Sequence, residues 1–161
     1  MKVKNIKLRF IFDKDVIVKP NRQIIWRDGK ATFSIYRGAT KFINVTGLKS
    51  VQEIKHQKLV MEKFFKQNII SVKIDNIFYS KKDSKNVDMG SLYNYLKGRK
   101  DYFCNYNIEL FAGMYLHPLN KSYPTILLFR TGSYSLMGSK YLKFILESEN
   151  FVQDLIHMFE K

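Results

Sequence analysis

The chain has 161 residues and a formal net charge of +14, and this charge is uneven: residues 1–70 hold 16 Lys and Arg against 5 Asp and Glu, whereas residues 71–161 hold 12 against 9. Its 45% apolar content argues against wholesale disorder, and no apolar run approaches the roughly 20 residues that span a bilayer. The single cysteine, Cys104, excludes an intramolecular disulfide and a cysteine metal cluster, and the basic excess suits a polyanionic partner.

The first half of the chain predicts strands followed by a helix. VKNIKLRF, which contains Asn5, alternates as a strand does, and Asp28-Gly29 between two strand-like runs is a strong hairpin signal. Phe42–Thr46 is the next predicted strand, and a Gly-containing turn follows it at Thr46–Lys49. A helix then begins at Lys49 or Ser50, with Glu53 completing a possible capping box. Its predicted apolar face comprises Val51, Ile54, Leu59, Phe64 and Phe65.

The second half repeats this order. VKIDNIFY carries Asn76 in a strand pattern, Met89–Arg99 predicts a short helix, and GMYLH and PTILLF predict a hairpin. The second half then continues with a predicted strand at Tyr134–Met137, a Gly-containing turn at Met137–Lys140 and a helix from near Ser139. The predicted apolar side of that helix comprises Leu142, Ile145, Phe151, Val152, Leu155 and Phe159. The sequence therefore predicts an α+β domain of two pseudo-repeats, 1–70 and 71–161, with one antiparallel sheet and helices on one face.

Nothing in the sequence indicates catalysis. His56, His117 and His157 are scattered without metal-ligand spacing, and no phosphate-binding or nucleophile-elbow motif occurs. Cys104 is predicted to be a buried or idle thiol. We therefore expect a protein that is not an enzyme, without a metal or cofactor, located inside the cell and away from membranes.

Three strings in the second half are NIELFAGMYL, TILLFRTGSYSLMGSK and KIDNIFYS. The first two resemble segments of the C-terminal repeat of the TATA-box-binding protein family, and the third resembles the strand that opens that repeat. The first half resembles the family more weakly, through VKNI, VTGLK and the helix after them. The resemblance implies a saddle of one curved antiparallel sheet with helices on its convex face. It also implies a sheet that lies on a widened minor groove and wedges side chains between base pairs, which is this family's known behaviour.

The resemblance also implies which residues contact DNA. Asn5 and Asn76 match paired asparagines that donate to base edges, and the minor groove offers mainly acceptors to such donors. Phe111 and Phe129 match one pair of wedging phenylalanines, and Thr46 matches a groove-facing threonine. Lys49, Lys140, Arg37 and Arg130 are candidates for phosphate contacts. Glu109 and Leu110 match the loop that meets the B-type general transcription factor. For Asn5 and Asn76, a purely structural role at a bulge or turn is the alternative.

The spacing along each predicted hairpin indicates which residues lie opposite one another and which face of the sheet they occupy. A hairpin centred on Asn120 places Phe111 opposite Phe129, whereas a first hairpin centred between Asp28 and Gly29 places Asn21 opposite Tyr36. Wedging is therefore expected from the phenylalanine pair, and Tyr36 is expected to stack or contact sugar instead. Strand alternation puts Leu127, Thr125, Ser34 and Thr32 on the groove-facing side and the residues Phe33, Ile35, Ile126 and Leu128 in the core.

The expected function is recognition and bending of AT-rich promoter DNA, with recruitment of a B-type initiation factor and RNA polymerase. The abundant Lys, Asn, Ile and Tyr suggest an AT-rich genome, such as that of a virus or parasite, so the expected location is a nucleus or a cytoplasmic viral transcription compartment. Two alternatives stay open. One is a module that positions an RNA–DNA hybrid or damaged DNA for another enzyme, and the other is a helix-grip carrier of a small ligand.

Overall fold

The computed structural model describes residues 3–18, 24–29, 31–35 and 38–161. Its contacts divide the chain into two compact units, Met1–Asn76 and Ile77–Lys161, called unit 1 and unit 2 below. Both units combine antiparallel strands with helices that follow them in the chain, so the predicted α+β class is confirmed.

Unit 1 is built from a meander of strands and one helix. Its elements are β1 (Asn5–Val18), β2 (Ile24–Asp28), β3 (Ala31–Ile35), β4 (Gly38–Leu48), α1 (Val51–Phe65) and the first part of β5 (Ile69–Lys81). The strand order is β2-β3-β4-β1-β5. β1 runs to Val18, and residues 19–23 separate it from β2.

Unit 2 has the same order of elements with an added helix and an added strand. It contains the last residues of β5, α2 (Met89–Leu96), β6 (Tyr102–Asn105), β7 (Met114–Pro118), β8 (Thr125–Leu128), β9 (Tyr134–Ser139) and α3 (Leu142–Phe159). The strand order is β5-β9-β8-β7-β6, so β6 is the edge strand of this unit. The sequence pattern predicted each of these elements except β6.

A β-bulge occurs at the same place in each unit. Ile6 pairs with Leu48 but Leu8 pairs with Val45, so the register shifts past Gly47. Ile77 pairs with Ser139 but Phe78 pairs with Met137, so it shifts past Gly138. Both glycines have a φ of 89°, which a residue with a Cβ rarely adopts. The turns predicted at 46–49 and 137–140 are therefore wrong: each glycine makes a bulge within a continuing strand, which bends that strand.

Alternate strand residues form the core. Phe33, Ile35, Ile126 and Leu128 are completely buried, as their alternation predicts. The apolar face predicted for α1 is partly wrong, because its buried stripe is Ile54, Gln57 and Met61. These residues follow the three- and four-residue helical spacing more closely than the predicted set does, and that set includes exposed Leu59 and Phe64.

Buried hydroxyl groups tie α3 to the sheet of unit 2. Gln153 donates from Nε2 to the Tyr134 hydroxyl at 2.8 Å, and the Tyr134 and Tyr79 hydroxyls both donate to the Glu149 carboxylate. Burial raises the pKa of Tyr134 to about 12, so it remains a donor near neutral pH. The helix begins at Leu142 after the cap residue Tyr141, three residues later than predicted.

Candidate nucleic-acid interface

Each unit has a sheet face that lies opposite its core, and we call it the open face. Its side chains alternate with the buried strand residues, and residues paired across strands point to the same side. In unit 1 the open face carries Lys7, Arg9, Thr32, Ser34, Asn44 and Thr46. In unit 2 it carries Phe78, Ser80, Tyr115, His117, Thr125, Leu127, Ser135 and Met137.

The two open faces differ in chemistry at matching positions. In unit 1, Thr46 is paired with Thr32 across the sheet, and Asn44 with Ser34. In unit 2, Met137 takes the place of Thr46 relative to the bulge and is paired with Thr125. The open face of unit 1 is therefore polar and cationic, whereas that of unit 2 is largely apolar and aromatic.

Asn5 has a role within the fold. Its side-chain oxygen accepts a hydrogen bond from the backbone N–H of Gly47 at 2.6 Å, which fixes the amide beside the bulge. Among the described residues, no acceptor lies within bonding distance of its Nδ2. The structure thus gives Asn5 the bulge role left open above and also leaves its NH₂ group to donate elsewhere. Asn76 stands immediately before Ile77, as Asn5 stands before Ile6, and is half-buried.

Phe111 and Phe129 are brought together, but not by the predicted register. Met114 pairs with Leu128, so the hairpin is centred one residue later than Asn120, and Phe111 lies before β7 begins. Continuing the register places Gly113, and not Phe111, beside Phe129. The rings of Phe111 and Phe129 nevertheless meet edge to face, with centroids 5.9 Å apart.

Gly113 makes room for this ring pair. A Cβ at Gly113 would lie 2.6 Å from Leu127 Cδ1, 2.7 Å from Phe111 Cε1 and 3.0 Å from Phe129 Cε1. Both rings therefore rest over a backbone position that has no side chain. This dependence on Gly113 could not be inferred from its position in the sequence alone.

We predict that Gly113→Ala displaces the ring pair without unfolding the protein. The three clashing atoms are the far ends of side chains that can move, so the expected stability loss is about 1 kcal/mol. Guanidinium unfolding measures this loss, and Gly98→Ala is the matched control because a Cβ there meets nothing within 4 Å. Bending of bound DNA should fall for Gly113→Ala and stay unchanged for Gly98→Ala. Normal bending by Gly113→Ala would show that the ring positions are not critical.

The candidate phosphate-binding residues fall in separate places. Lys49 is half-buried and follows β4, whereas Lys140 and Arg130 are exposed beyond the ends of β9 and β8. No described carboxylate pairs with any of them. Lys7, which the sequence analysis missed, is exposed on the open face of unit 1. Arg9 is on the same face, but its guanidinium is paired with Asp75 at 2.9 Å.

The first hairpin also has a different register from the predicted one. Ile24 pairs with Ile35 and Asp28 with Ala31, so the hairpin is centred one residue later than the predicted point between Asp28 and Gly29. The pairing of Asn21 with Tyr36 was predicted from a hairpin centred between Asp28 and Gly29, so the observed register removes the reason for it. Asn21, Tyr36 and Arg37 themselves lie outside the described residues.

Glu109 and Leu110 belong to an exposed turn before β7. The backbone N–H groups of Leu110 and Phe111 both donate to the Asn107 carbonyl, at 3.1 and 2.9 Å, and the Asn107 side chain accepts from the Glu109 N–H. Leu110 is 83% exposed and Ile108 is 69% exposed. This turn therefore holds two apolar side chains in solvent, and Ile108 was not among the predicted partner-binding residues.

Three aromatic residues of unit 2 were also missed. Tyr115 and His117 are on the open face of β7, and Phe103 pairs with His117 from the edge strand β6. Counting by twos along GMYLH could have found the first two. Phe103 could not be found that way because β6 is only four residues long and carries weak alternation.

Other kinds of site find little support in the described part of the chain. No group of three or more His, Cys, Asp or Glu within it could hold a metal ion. Burial raises the pKa of the Cys104 thiol to about 11, which keeps it protonated and poorly nucleophilic near neutral pH. None of the described helices is both long and apolar enough to cross a membrane.

Comparison with known structures supports the fold. The chain is similar to the solved structure of Methanococcus jannaschii TBP, with a TM-score of 0.67, 18% sequence identity, and 98% of each chain covered. No protein-family profile matches the sequence, and no curated protein matches it. The chain therefore has the fold of TBP, as its motifs predicted, at a sequence identity of only 18%.

Proposed function

We propose that this protein is a TBP-like DNA-binding module that recognises AT-rich duplex DNA through the minor groove and bends it. The observation that carries the proposal is the Phe111–Phe129 ring pair on the open face, within a chain whose fold is that of TBP. Such a pair suits insertion between base pairs, since an apolar wedge replaces base stacking with ring contacts. We propose no catalytic activity and no cofactor.

The two open faces would serve different parts of this task. The polar groups of unit 1, including Thr32 and Thr46, suit hydrogen bonds to groove edges and phosphates, and exposed Lys7 adds positive charge. Leu127 and Met137 in unit 2 suit van der Waals contact with the groove and with the sugars. The protein would therefore bind by charge through unit 1 and deform the duplex through unit 2.

The proposed biological role is promoter recognition at transcription initiation. The exposed turn with Ile108, Glu109 and Leu110 supports docking of a B-type initiation factor, because it presents apolar side chains beside a carboxylate. RNA polymerase would follow through that factor. The proposed compartment is the nucleus of a cellular host or, for a viral protein, its cytoplasmic site of transcription.

A competition gel-shift tests the proposal directly. Binding of the full chain to labelled AT-rich duplex should resist competition by GC-rich duplex, because guanine places an amino group in the minor groove. RNA–DNA hybrid should also compete poorly. Preferential binding of the hybrid would instead support a module that positions hybrid for another enzyme, and an absence of binding at low salt would refute DNA recognition.

Substitutions at Asn5 separate its two roles. Asn5→Asp keeps the oxygen that accepts from Gly47 N–H and removes the NH₂ donor, whereas Asn5→Ala removes both. We expect both variants to weaken AT-rich binding by about 1–3 kcal/mol. Only Asn5→Ala should also lose about 1 kcal/mol of folding stability, since it leaves the half-buried Gly47 N–H without its partner. Thermal melts and titrations of the folded protein measure the two effects; unchanged affinity in Asn5→Asp would limit Asn5 to the bulge.

A further inference from the structure

A continuous row of five aromatic rings runs across unit 2. It begins with Phe129 and Phe111, whose centroids are 5.9 Å apart, and continues with Tyr115, 5.7 Å from Phe111. His117 stacks on Tyr115 at 5.7 Å and 9°, and Phe103 lies 6.3 Å from His117 on the edge strand. We call these residues the aromatic row.

The aromatic row is not part of the core. Met114, Leu116 and Leu128 fill the core from the opposite face of the same strands and are completely buried. Two rings of the row are exposed, Phe111 at 44% and Phe103 at 63%, and the other three are half-buried. Aromatic rings in line on an exposed sheet face form a stacking surface, because every base has a flat face that such rings can contact.

The charge around the row favours a polyanion. Strands β6 to β9 contain no Asp or Glu, and the carboxylates of unit 2 lie in its loops, in its helices and at the chain end. Exposed cations lie just beyond these strands, at Lys121, Arg130 and Lys140. A stacking surface free of carboxylates and flanked by cations has the two properties that binding to single strands requires: ring contacts for the bases and positive charge for the phosphates.

We propose that the aromatic row binds unpaired bases of single-stranded DNA. The row starts at the ring pair that would wedge into the duplex, so the nearest unpaired bases would belong to DNA opened at that step. This choice of DNA rests on the proposed function, whereas the capacity to stack bases rests on the row alone. Tyr115, His117 and Phe103 would extend the contact from the wedge to the edge of unit 2.

Fluorescence anisotropy with labelled oligo-dT of roughly 16 nucleotides tests the proposal on the full chain. The double variant Tyr115→Ala, His117→Ala should weaken oligo-dT binding about tenfold or more, because stacking contacts are lost. Tyr115→Phe with His117→Phe retains flat rings and should bind normally, which separates stacking from hydrogen bonding. Tyr95→Ala is the control, since Tyr95 is an aromatic residue on α2 with 47% exposure.

Each outcome has a defined meaning. Failure to bind oligo-dT at low salt, or equal binding by the alanine variant and its parent with both folded by thermal melt, would overturn the proposal. Tighter binding of oligo-rU than of oligo-dT would overturn the assignment to DNA. Duplex binding is measured on the same variants. Binding of duplex DNA without binding of single-stranded DNA would refute the proposal for the aromatic row and leave the proposed function intact. Ring-dependent binding of single-stranded DNA without duplex binding would refute the proposed function and leave the proposal for the aromatic row intact.

Discussion

Raising the salt concentration should weaken DNA binding steeply. A protein that neutralises several phosphates releases their counterions, so log affinity falls against log salt with a slope of about −0.9 per phosphate contacted. The net charge of +14 and the +11 carried by residues 1–70 make six or more contacts a reasonable expectation. Affinity should then drop by roughly a thousandfold between 50 and 200 mM salt. Fluorescence anisotropy with AT-rich duplex over that range measures it.

Single substitutions show which residues contribute to the salt dependence of binding. Lys49→Gln and Lys140→Gln should each reduce the slope by about one contact, because no described carboxylate neutralises either side chain. Lys85→Gln is the matched control, because Lys85 is already paired with Glu160 at 3.1 Å. A slope near zero in the unmodified protein would refute nucleic-acid binding. A slope that Lys49→Gln and Lys140→Gln leave unchanged would place the phosphate contacts on other residues, such as Lys7.

Strand alternation allowed the sequence to predict more of the fold than of the hairpin registers. Phe33 and Ile126 fall in the core because buried and open positions alternate whatever the turn geometry. The registers depend on where each hairpin is centred, and the predicted centre lay one residue too early at both hairpins. The first hairpin is centred one residue later than the predicted point between Asp28 and Gly29, which moves Ile24 from its expected partner Phe33 to Ile35.

The candidate site was predicted only in part, because its ring contacts also depend on how the strands pair. Motif resemblance selected Phe111 and Phe129 correctly as neighbours, although Phe111 reaches Phe129 over Gly113 from outside the strand. Resemblance did not select Tyr115, although this residue lies within NIELFAGMYL, and it could not select His117 or Phe103, which lie outside the matched motifs. Their alignment is a consequence of the fold, in which a four-residue edge strand brings Phe103 beside β7.

Removing the ring pair should abolish most of the DNA bend. Phe111→Ala with Phe129→Ala eliminates the wedge, whereas the rest of the open face and its cations remain. Unstacking a base step costs a few kcal/mol, and without ring contacts to offset that cost the step should stay closed. Fluorescence energy transfer across end-labelled AT-rich duplex reports the bend. The variant should still bind, because phosphate contacts supply much of the affinity.

Substituting Asn21 and Tyr36, which the sequence analysis compared with the phenylalanine pair, shows whether the distortion is asymmetric. Asn21→Ala with Tyr36→Ala should change the bend less than loss of the phenylalanine pair does, because an asparagine amide buried against bases without a partner is itself costly. Equal loss from both double variants would show that Tyr36 also wedges. An unbent duplex in the complex with the unmodified protein would show that the ring pair does not open a base step. The aromatic row could then still bind single strands, because stacking on already unpaired bases requires no prior unstacking of a duplex.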